Sequence, residues 1–190
     1  NPAHRKQGRY TDCANQIGKM KINIGTKWCG AGNIAEGYDD LGENAESDAC
    51  CREHDYCPDL IPGRQTKYNL TNRAFYTRLN CECDEKFRQC LRSAQTNEQT
   101  ARYVGIIYFN ALGTQCFRED YPVVGCLRRG GYGFFFKIGI TMGILFCQCQ
   151  VITYIFYFCY CFRRFKTKCA EYEYDTDAAK IYQWFDVPDF

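Results

Sequence analysis

The stretch that decides the fold is CCREHDYC at residues 50–57. Its cysteines at either end, Cys50 and Cys57, are seven residues apart, which places them on one face of an α-helix, two turns apart. Cys83 and Cys90 repeat this separation further along the chain. Two antiparallel helices could therefore be joined by two disulfides. The first would link Cys50 to Cys90, and the second would link Cys57 to Cys83, about 10 Å away along the helix axes.

His54 lies between these two predicted disulfides, so its side chain should face the second helix. The acidic residues available there are Glu82, Asp84 and Glu85, and spacing alone does not choose between them. A histidine beside a carboxylate on a cross-linked frame is a general-base arrangement, because the carboxylate fixes the tautomer and stabilises the imidazolium. A packed structural histidine is the alternative interpretation of the same pattern.

A glycine-rich segment, residues 26–42, precedes the first helix and predicts a shaped loop. Glycine tolerates unusual dihedrals, so the run WCGAG at residues 28–32 can turn several main-chain carbonyls toward one point. Calcium takes oxygen ligands, including carbonyls and a bidentate carboxylate. Asp55 could supply that carboxylate if a disulfide between Cys29 and Cys51 ties the loop to the helix.

Cap and turn signals predict the bounds of the remaining elements. Ser47 is a candidate N-cap of the first helix, which should run to about Cys57 because Pro58 cannot continue it. Residues 71–94 contain neither proline nor glycine and predict one long helix. Residues 101–126 hold β-branched and aromatic runs with turn signals, which are typical of short strands.

The composition favours a disulfide-rich protein of an oxidising compartment. The chain has 190 residues, enough for one domain with a modest core, and 15 of them are cysteine. Zinc is the alternative explanation for many cysteines, but the paired histidines typical of zinc sites are missing, since the histidines are His4 and His54. Lysine and arginine number 24 against 22 acidic residues, which gives no argument for a nucleic-acid partner.

Two further features concern processing. Residues 1–24 are polar and basic, and we interpret them as an N-terminal lead-in or propeptide remnant. Asn69, in the sequence Asn-Leu-Thr, is an N-glycosylation acceptor, which agrees with a secreted, extracellular protein.

Taken together, these segments resemble the secreted phospholipases A2 of the bee-venom type, often called group III. The similar segments are residues 25–33, 48–59, 70–72, 77–87, 108–110, 122–126 and 182–186. The resemblance implies a mainly α fold with small β elements. It would contain two antiparallel, disulfide-linked helices, a calcium-binding loop and short C-terminal strands.

The resemblance also implies a function and a set of site residues. The expected reaction is calcium-dependent hydrolysis of the sn-2 ester of glycerophospholipids at a membrane surface, releasing a fatty acid and a lysophospholipid. It implies that His54 is the general base, that Asp84 is its acidic partner and that Tyr108 supports the pair. Calcium, the implied cofactor, would bind the main-chain oxygens of Trp28, Gly30 and Gly32 and the side chain of Asp55. The Gly30 N–H would also serve as an oxyanion donor.

Two disulfides beyond the three already given rest on the resemblance alone, namely Cys81–Cys116 and Cys126–Cys169. We further expect a monomer without a nucleic-acid partner. The alternative function is a non-catalytic toxin or receptor-binding protein on the same scaffold. Such a protein would be expected to lose the histidine, the adjacent aspartate or a loop glycine, and this sequence retains all three.

Residues 127–166 depart from the family pattern as an apolar insert. Within them, residues 138–162 carry no charge and are long enough to span a bilayer. We consider a translated intervening sequence, a transmembrane span and a membrane-docking insertion. A single span would put the cysteines on either side of the insert on opposite sides of a membrane, so that they could not pair. We expect the catalytic domain to comprise residues 25–126, with residues 167–190 as its C-terminal tail.

Overall fold

The fold is known from a computed structural model that describes residues 25–30, 32–130 and 167–190. In these residues, three α-helices and eight short strands are joined by five disulfides. The expected disulfide-rich fold with helices and small sheets is thereby confirmed. The predicted lead-in at residues 1–24 and the greater part of the apolar insert, residues 131–166, lie outside the described residues.

Helix α1, Ala45–Asp55, carries most of the CCREHDYC stretch. The expected N-cap, Ser47, is wrong, because the N-cap is Asn44, three residues earlier. Ser47 is instead fully buried in the first turn, where its hydroxyl donates to Glu98 Oε2 at 2.5 Å and its N–H donates to the same oxygen at 2.9 Å. The helix ends close to the expected position, shortly before Pro58.

Four two-residue strands and a second helix follow. They are β1 (Leu60–Ile61), β2 (Thr66–Lys67), β3 (Leu70–Thr71), β4 (Arg78–Leu79) and helix α2 (Cys81–Ala94). Strand β1 pairs with β4 and β2 pairs with β3, both antiparallel. The single helix expected over residues 71–94 is therefore wrong in its first half.

Two asparagines account for the later start of the helix: Asn72 is buried before it, and Asn80 caps it. Asn72 is fully buried, and its side-chain amide donates to the carbonyls of Ile61 and Tyr76 at 2.9 and 2.8 Å. Side-chain bonds of this kind offer the backbone an alternative to the helical pattern. Asn80 then caps α2, since its side chain accepts the N–H of Glu82 at 3.0 Å.

The strands expected over residues 101–126 are also wrong in their first part. Helix α3, Gln99–Gly105, continues as a wider π-helical turn over Ile106–Ala111. The β-branched and aromatic side chains here favour strands locally, but Ala101 and Phe109 are completely buried in the core. Tertiary burial thus overrides local propensity.

The last four strands form two antiparallel ribbons that include the C-terminal tail. They are β5 (Gln115–Asp120), β6 (Val123–Gly130), β7 (Lys168–Tyr174) and β8 (Ile181–Asp186). Strand β5 pairs with β8 in unbroken register, and β6 pairs with β7 with three irregularities. Because Gly130 lies opposite Lys168, the second ribbon brings both flanks of the apolar insert to one place.

Five disulfides cross-link these elements. The structure brings the cysteines together in the pairs Cys29–Cys51, Cys50–Cys90, Cys57–Cys83, Cys81–Cys116 and Cys126–Cys169. Two of the bonds join the region of α1 to α2, and one joins the loop to α1. The other two join α2 to β5 and β6 to β7. The glycine-rich loop and the two long helices are therefore held as one unit.

None of the helices in the described residues is both long enough and apolar enough to cross a bilayer. Residues 138–162, for which a transmembrane span was one interpretation, lie outside the described residues.

Candidate active site

The candidate site is organised by two faces of α1. The base face consists of Cys50, His54 and Cys57. The loop face consists of Asp48, Cys51 and Asp55. Residues at these spacings of three, four and seven lie above one another on a helix. The disulfides of the base face lead to α2, and the disulfide of the loop face leads to the glycine-rich loop. Adjacent residues of α1 are thereby directed to different partners.

On the base face, His54 contacts a buried carboxylate. Its Nε2 lies 2.8 Å from Oδ1 of Asp84, whose side chain is 1% exposed. The ring of Phe87 stacks on the imidazole, with 4.1 Å between centroids, and the histidine side chain is 9% exposed. The other two acidic candidates, Glu82 and Glu85, instead form ion pairs with cations of α2. Asp84 is thus the candidate that the structure brings to His54.

Tyr108 donates its hydroxyl to the same Asp84 oxygen, Oδ1, at 2.8 Å. Burial raises the pKa of this phenol well above its ordinary value, and the Asp84 carboxylate adds to the effect, so the hydroxyl stays protonated and able to donate. The other oxygen of Asp84, Oδ2, is buried and has no hydrogen-bond partner among the described residues. Both donors converge on one oxygen, which fixes the orientation of the carboxylate toward His54.

The glycine-rich loop lies against α1 and contains no helix or strand in its described residues. Trp28 is buried, whereas Gly30 and Gly32 are exposed, and Ala31 between them lies outside the described residues. Gly32 has a φ of +83°, a left-handed conformation that favours glycine. The main-chain oxygens of Trp28, Gly30 and Gly32 accept no hydrogen bond from any described residue, so they are available to a ligand.

Asp55 follows His54 directly and reaches solvent at the end of α1. Its carboxyl forms no hydrogen bond or ion pair with another described residue. Desolvation by the surrounding protein raises the pKa of Asp55 to about 6; the nearby His54 opposes this shift and the Asp48 carboxylate adds to it. A bound cation would favour the ionised form of such a carboxyl.

The donor set fits calcium better than zinc. Within residues 25–30, 32–130 and 167–190, no group of three His, Cys, Asp or Glu side chains could hold a metal ion. An ion beside Asp55 would therefore take most of its ligands from main-chain oxygens of the loop. That is the ligand chemistry of calcium, whereas zinc prefers cysteine and histidine.

The expected glycosylation site is accessible. Asn69 is exposed at the tip of the β2–β3 hairpin, where Tyr68 and Asn69 have φ values of 53° and 61°. Two successive residues with positive φ are typical of the tight turns that join antiparallel strands, and asparagine tolerates this conformation well. The Tyr68 ring stacks on Tyr182 at 4.0 Å between centroids.

Sequence reasoning missed two carboxylates that bind main-chain N–H groups in and around α1. Asp48 is fully buried and accepts main-chain N–H groups of the loop. Glu98 accepts the N–H groups of Glu46 and Ser47 at the start of α1. A signal for Asp48 was present, since it lies seven residues before Asp55 on one helical face. Glu98 carries no such signal, because its partners are 51 and 52 residues away.

Comparisons with known proteins give a consistent result. A family model described as "Phospholipase A2" matches residues 22–120. A phospholipase A2 of Bombus pensylvanicus is 46% identical over 166 residues, covering 87% of this chain and 97% of that protein. A phospholipase A2 of Xylocopa aruana is 44% identical over 167 residues, covering 87% of this chain and 72% of the relative. A phospholipase A2 of Apis mellifera is 35% identical over 173 residues, covering 91% of this chain and 82% of the relative.

Proposed function

The chain belongs to the phospholipase A2 family, and we propose that it hydrolyses the sn-2 ester of glycerophospholipids with calcium as its cofactor. As a phospholipase A2, it is an enzyme that acts on phospholipids. The observation that carries the finer proposal is the contact of His54 Nε2 with Asp84 Oδ1 at 2.8 Å. The residue after His54 is Asp55, whose carboxyl would bind calcium. The products would be a free fatty acid and a lysophospholipid.

We assign the role of general base to His54. An ionised Asp84 can only accept hydrogen bonds, so Nε2 of the neutral imidazole donates to it and Nδ1 presents its lone pair. Nδ1 then takes a proton from the water whose oxygen attacks the ester carbonyl carbon. The same proton passes to the glycerol oxygen when its bond to the acyl carbon breaks.

Asp84 and Tyr108 act through His54 and are positioning residues. The Asp84 carboxylate holds the tautomer and stabilises the imidazolium that forms when Nδ1 is protonated. The Tyr108 hydroxyl, at 2.8 Å, limits rotation of that carboxylate. The supporting observation is that both bonds use the same carboxylate oxygen, within the region cross-linked by the two disulfides of the base face.

The residues that would hold calcium are Asp55, through its carboxyl, and Trp28, Gly30 and Gly32, through main-chain oxygens. When bound, calcium supplies Lewis-acid polarisation of an ester carbonyl. The Gly30 N–H would donate to the carbonyl oxygen as negative charge develops on it. Support comes from the three loop oxygens, which accept no bond from described residues, and from the raised pKa of Asp55.

The setting that we propose is extracellular, with a phospholipid membrane surface as the substrate-bearing partner. The disulfides support a secreted protein, and the exposed Asn69 supports glycosylation. The nearly balanced charge, with 24 basic and 22 acidic residues, supports the absence of a nucleic-acid partner. We propose that the enzyme works as a monomer.

Vesicles of a phosphatidylcholine with distinguishable acyl chains at sn-1 and sn-2 test this proposal. We expect release of the sn-2 chain in the presence of calcium and no release after chelation. Release of the sn-1 chain would contradict the assigned position, and undiminished release in chelator would contradict the cofactor. If no fatty acid appeared under any condition, the non-catalytic alternative on the same scaffold would hold instead.

A further inference from the structure

Asp48 is a buried carboxylate that is held by main chain. Its side chain is fully buried on the loop face of α1. It accepts the N–H groups of Lys27 at 2.8 Å, Trp28 at 2.6 Å and Gly42 at 2.8 Å. It forms no salt bridge with a described residue. A buried carboxylate is costly unless it is hydrogen-bonded, and here all three donors belong to the glycine-rich loop.

These three bonds join the two ends of that loop. Lys27 and Trp28 lie where the loop begins, Gly42 lies where it ends, and one side chain binds both ends. The ends also touch each other, because a Cβ added to Gly42 would collide with the carbonyl oxygen of Gly25. The same carbonyl accepts the N–H of Asn44 at 2.9 Å, immediately before α1. The loop is thus closed at its base around the Asp48 carboxylate.

The position of Asp48 on α1 connects this closure to the calcium ligands. Asp48 shares the loop face with Asp55, the side chain that would bind the ion, two helical turns away. It bonds to Trp28, the first residue whose main-chain oxygen would be a ligand. The neighbouring Cys29 is attached to the same face through Cys51. A disulfide and a hydrogen-bonded carboxylate therefore hold consecutive loop residues against one helix.

We propose that Asp48 is a positioning residue that presets the loop on α1, so that its main-chain oxygens stay within reach of Asp55 before calcium binds. This inference rests on the proposed function, since it concerns the same calcium site. The Cys29–Cys51 disulfide fixes one point of the loop, whereas Asp48 fixes the direction in which the chain enters and the place where it leaves. Loss of the Asp48 carboxylate should therefore weaken calcium binding without altering the base at His54.

The variant Asp48→Asn tests this with almost no change of volume. One carboxylate oxygen becomes an NH2 group that faces main-chain N–H donors, so at least one of the three bonds is lost. We expect the calcium dissociation constant, measured by isothermal titration with calcium chloride, to rise about tenfold or more, as for other residues that orient metal ligands. At saturating calcium, we expect kcat to recover to near the wild-type value.

The matched control is Glu98→Gln, which also removes a carboxylate oxygen that binds main-chain N–H groups of the α1 region, but at the start of the helix and away from the loop. We expect its calcium dissociation constant to equal that of the wild type. An unchanged constant in Asp48→Asn would overturn the inference, and so would an equal rise in Glu98→Gln. If the wild type itself bound no calcium, the proposed function would fail at its cofactor, which is a distinct result.

Amide hydrogen exchange of the wild-type protein without calcium provides a second test that does not depend on folding of a variant. We expect the N–H groups of Lys27, Trp28 and Gly42 to exchange as slowly as those inside α1, because a buried carboxylate holds them. Exchange as fast as at the exposed Gly32 and Asn33 would show that the loop is not preset and would overturn the inference.

Discussion

The base face and the loop face of α1 are cross-linked by similar means but hold their partners differently. On the base face, side chains bind side chains, from His54 to Asp84 and from Tyr108 to Asp84. On the loop face, Asp48 accepts main-chain N–H groups of the loop, whereas Asp55 has no hydrogen-bond donor among the described residues. On the roles that we propose, one helix carries a base whose partner is a protein carboxylate next to a carboxyl whose partner would be a bound ion.

Replacing the base should have the largest effect. We expect His54→Gln to lower kcat about a thousandfold, because it removes the imidazole that we propose takes the proton from water. The calcium dissociation constant should stay at the wild-type value, since the substitution changes only the base face. Initial rates on vesicles and calcium titration measure the two quantities. A rate within tenfold of the wild type would refute the assigned mechanism.

Replacing the ion-dependent ligand should give the converse pattern. We expect Asp55→Asn to weaken calcium binding about a hundredfold, because it removes the one charged ligand of the set. Fatty-acid release should fall accordingly at a calcium concentration that saturates the wild type. The His54 ring resonances in NMR should remain those of the wild type. If calcium bound as tightly as before, the ion would have to lie elsewhere.

A smaller effect is expected from Tyr108→Phe, which removes one of the two donors to Asp84 Oδ1. Loss of a hydrogen bond to a charged group costs about 1.5 kcal/mol, so kcat should fall about tenfold with little change in calcium affinity. Tyr103→Phe, at an exposed tyrosine of α3, is the control and should leave kcat unchanged. Equal rates for both variants would show that the Tyr108 hydroxyl does not support the base.

Glu98 binds main-chain N–H groups at the start of α1. Burial would raise its pKa, but hydrogen bonds from Ser47 and Glu46 outweigh that effect and hold the pKa below its ordinary value. The stabilisation by Glu98 is therefore complete above the unfolded-state pKa of about 4.3 and is lost as the pH falls through the lower folded-state pKa. We expect Glu98→Gln to lower the free energy of unfolding by about 1 kcal/mol at neutral pH.

Denaturant unfolding at neutral pH and near pH 3 measures this contribution. The difference between wild type and Glu98→Gln should shrink at the lower pH, because protonation of the wild-type carboxylate weakens its bonds to the N–H groups of α1. A difference that stays constant across the two pH values would mean that the charge of Glu98 does not stabilise α1.

The smallest effect is expected from removing the apolar insert, because the residues on either side of it, Gly130 and Lys168, already pair with each other in the β6–β7 ribbon. We propose to replace residues 131–167 by Asn-Gly, a pair suited to a tight turn between the paired Gly130 and Lys168. Calcium affinity and the rate on vesicles should be unchanged. A large loss of either quantity would show that the insert belongs to the catalytic unit.

The parts of the site that sequence could predict are those set by helical spacing. The repeated separation of seven residues is enough to pair Cys50 with Cys90 and Cys57 with Cys83, because an α-helix has a fixed repeat. The same repeat directs His54 toward α2. Choosing Asp84 among the acidic candidates took the resemblance to a family, since three acids lie within one turn of each other.

The parts that sequence could not predict depend on contacts between distant residues. Ser47 has the chemistry of an N-cap, yet burial against Glu98 uses its hydroxyl elsewhere. Asn72 keeps the first part of the expected helix from forming, because its amide binds the carbonyl of Ile61 on β1 and that of Tyr76. The strand-like residues of α3 and of the π-helical turn after it are helical, and they bury Ala101 and Phe109 in the core. In each case a long-range contact outweighs a local preference.

The pairing of Gly130 with Lys168 has a consequence for how this family member tolerates change in length. Strands β6 and β7 pair and bring both flanks of the apolar insert to the same point, and the Cys126–Cys169 disulfide keeps them there. The entropy of closing a chain between fixed ends grows only logarithmically, by about 0.6 kcal/mol for each doubling of its length. The end of this ribbon is therefore a place where the gene can gain or lose whole segments at low thermodynamic cost, while the register of α1 against α2 stays as it is.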